Sequence, residues 1–369
     1  MTGQISKDVV EGEDRIDYLL NPSTPGRFVI GNGASAFPVF SQRDTLPMKN
    51  LINTHFGTLL FASALSLWAT GSNAQEVASQ SPLPNVKHLI DTHIHLFDPR
   101  RPQGIPWPPA DDKVLYKPHL PAEFSRLAKP AGVSGVVIVE ASDRLEDNNW
   151  VLDQVKGDPF YVALVGNIDP YREDFDEQLK RLKRDKRFVG IRARNSGPID
   201  YTDPQVLANF RLLEKAGLSL DILANGKGVE GVREVDELAA KLPNLQIVVD
   251  HVLGYDIDGN PPGKEWLDAV KSLARHKNVF CKVSGLYQRC TQQPAPHDPD
   301  HYRTVLDPLW EGFGADRLIY GSNWPCTKKS GDYDSFVRLV NAYFSEKGQD
   351  ACEKYFWKNA ATAYHLPLR

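Results

Sequence analysis

The chain has 369 residues, 41% of them apolar and 24% charged, an ordinary globular composition. A formal net charge of −4 without a strongly basic stretch argues against nucleic acid and anionic membrane surfaces as partners and points to a small-molecule substrate. The four cysteines, Cys281, Cys290, Cys326 and Cys352, show no CxxC spacing, so a zinc ribbon or thioredoxin motif is not indicated and they read as small buried apolar residues.

In chain order, residues 1–47 form a polar extension. Lys49 then precedes an apolar run over 56–69, too short to span a membrane, and Ser72-Asn73-Ala74 supplies a small-residue cleavage site. Residues 48–74 thus have the three-part form of a secretory signal peptide cleaved after Ala74. Two arrangements accommodate its internal position. Either Met48 is the true start and the mature protein is exported with no stable membrane insertion, or the segment is an internal apolar helix of a cytoplasmic protein. Residues 75–85 read as a linker and 86–369 as one catalytic domain.

From residue 86 onward, short apolar runs alternate with longer amphipathic stretches. Strands are predicted at 89–95, 135–140, 161–167, 188–194, 218–223, 245–251, 279–284 and 318–322, most of them rich in Val, Ile and Leu, as strands covered on both faces should be. Helical spacing recurs between them, at 175–184, 206–216, 232–241 and 266–275. Strand then helix, repeated eight times, predicts parallel pairing through right-handed crossovers and closure into a (β/α)8 TIM barrel. A doubly wound open sheet is the weaker alternative, because no GxGxxG turn follows the first strand.

Such barrels do their chemistry at the C-terminal strand ends. Strand one ends in Asp91-Thr92-His93-Ile94-His95, and strand alternation puts both imidazoles on one face, with Ile90 and Ile94 expected on the helix side. The two imidazoles form half of a divalent metal site, or a buried hydrogen-bonded pair. Glu140 closes strand two and is costly to bury unless paired or metal-bound; a solvated rim glutamate is the other reading. Strand four ends in Arg192-Ala193-Arg194. If its face is inward, Arg192 meets the site as a fork for carboxylates or hydroxyls and disfavours a second metal ion, while Arg194 suits a rim ion pair with Asp200 or Asp203. Strand five carries Asp221. Strand six ends in Asp250-His251, with His251 sharing a face with Ile247 and Val249 and serving as metal ligand or as acid–base group near neutrality. Strand seven offers Lys282 and Ser284 on one face. Strand eight ends in Gly321-Ser322-Asn323-Trp324-Pro325, where Asn323 can exchange hydrogen bonds but not take a proton.

These strand ends, in this order, resemble the amidohydrolase-related (amidohydrolase 2) family, and more narrowly its sugar-lactonase-like branch, which contains L-fuconolactonase, L-rhamnonolactonase and pyrone-dicarboxylate lactonase. The matching pieces are IDTHIHLFDP (90–99), VVIVEA (136–141), VGIRAR (189–194), VVDHVLG (248–254), CKVSGL (281–286) and IYGSNWP (319–325). The resemblance implies a (β/α)8 hydrolase of cyclic esters, in some members with one divalent metal, usually zinc, and in others with none. Carried over, His93 and His95 match the strand-one histidines, Glu140 a position commonly Gln or Glu, His251 the strand-six histidine and Lys282 the strand-seven lysine. Asn323 departs: many members have aspartate there to activate water.

The expectation is a lactonase-type hydrolase. His93 and His95, with Glu140, hold one metal, zinc by preference. His251, Glu140 or a metal-bound water makes up for the aspartate that Asn323 replaces. Arg192 and Lys282 bind substrate oxygens and stabilise developing charge. Trp107, in the loop after strand one, stacks on a sugar ring or packs, and Trp324 joins the substrate contacts. Two alternatives keep the barrel: a metal-dependent decarboxylase of a small carboxylic acid, and a non-catalytic sugar-binding protein.

Overall fold

Eight short parallel strands carry the apolar runs: β1 (Ile90–Ile94), β2 (Gly135–Val139), β3 (Tyr161–Gly166), β4 (Phe188–Arg192), β5 (Ser219–Ile222), β6 (Ile247–Val249), β7 (Val279–Val283) and β8 (Leu318–Tyr320). The computed structural model describes residues 81–193, 198–224 and 227–367. The 48–74 segment, most of the linker and Arg194 lie outside the described residues. No described helix is long and apolar enough to cross a membrane.

The strands pair in the order β1 to β8. The ring closes where Ile94 bridges Trp324 in parallel, the His95 amide donates to the Trp324 carbonyl at 2.8 Å, and the Asn323 amide donates to the His93 carbonyl at 2.8 Å. This is the (β/α)8 barrel expected from the alternation of strand and helix. Helices α1 (Pro121–Ala128), α2 (Asp147–Gln154), α3 (Phe175–Leu182), α4 (Pro204–Ala216), α5 (Gly228–Lys241), α6 (Lys264–Leu273), α7 (Pro299–Phe313) and α8 (Tyr333–Glu346) belong to the outer layer. Helix α4 shows how locally this is encoded. The Asp203 carboxylate accepts from the Gln205 and Val206 amides, Pro204 occupies the first turn, Gly217 ends the helix at φ +65°, and Val206, Phe210 and Leu213 form the buried stripe.

The core has two parts. A large outer layer packs strands against helices. A smaller inner cluster fills the barrel with Ile90, Val137, Val165, Val248, Phe280 and Ile319, among others, and takes in Trp357, Ala360 and Tyr364 from the last segment of the chain. The Trp357 ring meets His88, just before β1, edge-on at 5.1 Å, so this segment stops the N-terminal end of the barrel and leaves the other end for chemistry.

The register is irregular in the first three pairings, and two of these irregularities bear on which site residues face inward. On β1 the pairing runs Ile90 with Gly135, Asp91 with Val136, then Ile94 with Ile138, so β1 holds one extra residue. Ile90 therefore joins the inner cluster instead of the helix side expected from simple alternation, while Ile94 does face the helices. On β4, Leu164 pairs with Phe188 but Val165 with Gly190, so Val189 is extra and Gly190 and Arg192 turn inward together. Gly190 then lies so close to β5 that a Cβ there would stand 2.6 Å from the Ser219 carbonyl oxygen. Gly190→Ala is expected to destabilise the barrel by about 1–3 kcal/mol, read as a lower denaturation midpoint with unchanged slope.

Candidate active site

The inward-facing residues of β1, β4, β5, β6 and β7 meet at the C-terminal mouth. His93 and His95 point there as expected, whereas Thr92 donates from Oγ1 to the Tyr320 carbonyl at 2.5 Å. Lys282 and Ser284 share the inner face of β7 with Phe280, and Asp221 shares that of β5 with Ser219. On β6, Val248 is the inward residue, so Asp250 follows it inward while Ile247 and Val249 pack outside. His251 reaches the mouth by a different route from the expected one. It does not alternate with Ile247 and Val249; the chain turns left-handed at His251, Val252 and Leu253 (φ +52°, +48° and +60°) and swings the imidazole in. Its Nδ1 lies 2.9 Å from Ser284 Oγ, and its ring centre lies 4.5 Å from that of His93. Gly285 lets this happen: it has φ +63°, and a Cβ there would meet His251 Nδ1 at 2.9 Å and Asn323 Nδ2 at 3.4 Å. Asn323 itself has φ +60°, a region asparagine tolerates better than most residues.

Two buried cations and three buried carboxylates hold the site. Lys282 Nζ lies 2.8 Å from Asp221 Oδ2, 3.0 Å from Asp250 Oδ1 and 3.3 Å from His93 Nδ1. Arg192 donates from Nε to Glu140 Oε1 at 2.6 Å and from Nη2 to the Glu140 carbonyl at 2.8 Å. Its Nη1 is held more loosely, 3.5 Å from both Asp250 Oδ2 and His93 Nε2. Asp250 thus bridges both cations and also approaches His93 Nδ1 at 3.3 Å. Tyr364, from the segment that stops the barrel, donates to Asp221 Oδ2 at 2.8 Å.

Burial opposes charge throughout, and the partners decide each outcome. Asp250 is pushed up by burial, but Lys282 and His93 outweigh this and hold its carboxyl well below the ordinary range. In Asp221 burial wins over Lys282 and raises the pKa. Burial drives the His93 pKa well below its ordinary value, and lowers those of His95 and His251 to about 3, with Arg192 adding to both. All three imidazoles are therefore neutral at pH 7. For His251 this replaces the expected near-neutral pKa, because its ring is buried beside two cations. His95 Nδ1 lies 3.0 Å from the Val139 carbonyl, which can only accept, so the proton sits on Nδ1 and the Nε2 lone pair is left for a ligand.

Several expected site residues take other places. Glu140 was expected as a metal ligand or base, but its carboxylate is engaged by Arg192. Lys282 was expected to touch substrate, but it is fully buried beneath the mouth with three internal partners. Trp324 was expected among the substrate contacts, but its side chain turns to the helix layer, against Phe124 of α1 at 5.0 Å and His119 at 5.2 Å. Trp107 does lie at the mouth, its ring 5.6 Å from that of His95. Among the described residues, the group whose ligand atoms converge within 4.8 Å is His93, Asp250 and His251. Asp250 carries no ligand motif of its own in the sequence; the signal that finds it is its parity with Val248.

A family model for amidohydrolases matches residues 90–366. An L-fucono-1,5-lactonase of Burkholderia ambifaria is 30% identical over 285 residues, 75% of this chain and 95% of that protein. An L-fucono-1,5-lactonase of Burkholderia multivorans is 24% identical over 290 residues, 75% of this chain and 96% of that protein. A solved amidohydrolase from Burkholderia multivorans with bound zinc superposes with a TM-score of 0.68 at 22% identity, covering 76% of this chain and all of that one.

Two outcomes follow from the charge cluster. Lys282→Met leaves Asp221 and Asp250 without their ammonium and is expected to cost about 3–5 kcal/mol in denaturant unfolding. The folded pKa of about 3 for His251 lies below its ordinary value of 6.5. The unfolded chain therefore binds more protons between those values, and stability falls as pH drops from 6.5 toward 3. His251→Gln should reduce the slope of that part of the stability–pH curve, with His93 and His95 supplying the remainder; a curve that keeps the full slope contradicts the assignment.

Proposed function

The chain belongs to the amidohydrolase family, and on that premise we propose that it is a hydrolase that opens a sugar-acid lactone, or a closely similar cyclic ester, by attack of water at the ring carbonyl. The observation that carries this reading is the convergence of neutral His93 and His251 with Asp250 and the Arg192 fork at the barrel mouth, in a chain that matches L-fucono-1,5-lactonases over most of their length.

The cluster fits one divalent ion. Asp250 brings a buried carboxylate beside the neutral imidazole of His93, and that pair accommodates a dication. Imidazole and carboxylate donors suit zinc, the ion bound in the Burkholderia multivorans barrel. His93 and Asp250 would hold it, with His95 beside them in the ligand tautomer, while His251 keeps Nε2 for the proton. When bound, the ion supplies Lewis-acid polarisation of the ester carbonyl.

The remaining work falls to side chains. Arg192 Nη1, the loosely held arm of a fork otherwise fixed by Glu140, is the donor for a substrate oxygen and for the charge that develops on it. His251, oriented by Ser284, accepts the proton of the attacking water through Nε2 and returns it to the leaving alkoxide. Asn323, beside His251, orients the water without taking its proton. Trp107 covers the ring. The 48–74 pattern further supports export with cleavage after Ala74, and N-terminal sequencing of exported protein checks it.

The test is metal analysis of residues 75–369 followed by a pH-indicator screen of sugar lactones with and without chelator. Stoichiometric zinc and chelator-sensitive acid release are expected. Replacing His93 and His95 together by Ala should abolish acid release while the circular-dichroism melting curve persists; unchanged turnover in that variant sinks the reading. Full activity in chelator removes the metal and leaves the lactonase. Release of CO2 from a carboxylic acid, with no lactone opened, replaces hydrolysis by decarboxylation.

A further inference from the structure

The chain after β6 holds a conformation that its own residues oppose. His251, Val252, Leu253 and Gly254 all lie in the left-handed region, at φ +52°, +48°, +60° and +72°. Only the last is a glycine, and a branched Cβ such as that of Val252 crowds the backbone there. This path aims the His251 imidazole into the mouth, and a relaxed path through the same residues would aim it elsewhere. Contacts from outside the turn must therefore hold it. We propose that Arg289 supplies them, as a positioning residue that fixes His251 by gripping the far end of the left-handed turn. The inference rests on the reading of His251 as the group that moves the proton.

Three observations support it. The first is where the guanidinium binds. Nη2 donates to the Gly254 carbonyl at 2.6 Å and Nε to the Tyr255 carbonyl at 3.0 Å. These are the last carbonyl of the turn and the first of the extended chain beyond it, where Tyr255 returns to φ −71°. Nη2 also pairs with the Asp256 carboxylate. The Asp256 side chain is 71% exposed and that of Arg289 16%, so the charge is balanced from the solvent side while the fork lies inside on the carbonyls. The second is the backbone. The Ile257 amide donates to the Arg289 carbonyl at 2.7 Å, and the Thr291 amide donates to the Ile257 carbonyl at 2.8 Å. The segment after β6 is thus stitched to the segment after β7 at the residue that supplies the fork. The third is common origin. Arg289 ends the helical turn Leu286–Arg289, and its amide donates to the Gly285 carbonyl at 2.9 Å. Ser284 and Gly285, just before that turn, are the residues set against the His251 ring. One stretch, 284–289, therefore holds the ring at one end and the left-handed turn at the other.

Arginine suits this task because its planar fork reaches two carbonyls and a carboxylate together. A lysine keeps the charge, but a single ammonium on a flexible stem does not fix all three acceptors in one arrangement.

The experiment compares Arg289→Lys and Arg289→Met with the wild type in the full chain. The ring centres of His251 and His93 lie 4.5 Å apart, close enough for a nuclear Overhauser peak between their ring protons in histidine-labelled protein. Steady-state kinetics on a sugar lactone opened by the wild type give kcat and KM. Both variants are expected to lose the peak and to lower kcat by on the order of 10–100-fold, with KM within about threefold of wild type. An arginine that only stabilises the fold lowers Tm and leaves the peak and kcat in place, and that result overturns the proposal. A raised KM with unchanged kcat also overturns it, because Arg289 then binds substrate. Loss in Arg289→Met with full retention in Arg289→Lys makes charge the cause and overturns the grip by the fork. If Arg289→Met does not fold, Arg289→Lys decides alone; if neither folds, Arg289 supports the whole barrel and the specific role falls. A wild type that opens no lactone overturns the lactonase reading, and the peak still decides whether Arg289 sets the ring.

Discussion

Asp250 is the contact on which the active site is built. A carboxylate that is fully buried needs compensation from every side, and it receives it from Lys282, His93 and Arg192. Each of these partners comes from a different strand, so one residue just past β6 ties β7, β1 and β4 together at the mouth. Removing Lys282 or Arg192 leaves uncompensated charge in a medium that solvates it poorly. The same arrangement keeps three imidazoles neutral and close together, the state in which they can take a proton or bind a metal ion. Stability and chemistry here rest on the same few bonds.

The cations have unequal roles. Lys282 lies at the bottom with no surface exposed, shared between Asp221 and Asp250, and Tyr364 links that arrangement to the segment stopping the barrel. It supplies charge balance. Arg192 is anchored through two of its nitrogens by a single residue, Glu140, and offers the third. A planar fork permits this division, with one edge fixed and one corner loosely held, the corner proposed above for substrate; a lysine at the same place could not be held and remain available in this way.

Much of this was legible in the sequence. Apolar runs of the right length, alternating with amphipathic stretches, specify the barrel, and the placement of His93, His95 and Arg192 follows from strand parity. Parity failed where the backbone departs from a regular ladder. The extra residues in β1 and β4 leave no side-chain signature, so Ile90 was assigned to the wrong face. The left-handed turn after β6 runs on through Val252 and Leu253, residues that would not be chosen for it, and tertiary packing imposes it. Glu140, Lys282 and Trp324 were misplaced for another reason: which partner a polar or aromatic residue finds across the barrel is a long-range fact, and local sequence carries no record of it.

The seam between β1 and β8 carries one more consequence. The hydrogen bonds that close the ring run from the His95 amide to Trp324 and from the Asn323 amide to His93. The backbone that seals the barrel is therefore the backbone of the residues proposed to react. Any fluctuation that parts the first strand from the last dismantles the chemistry in the same motion, and the protein has no way to breathe open there and remain active. Protection of these two amides from solvent exchange should thus report, in one measurement, both the integrity of the ring and the fraction of molecules competent to turn over substrate.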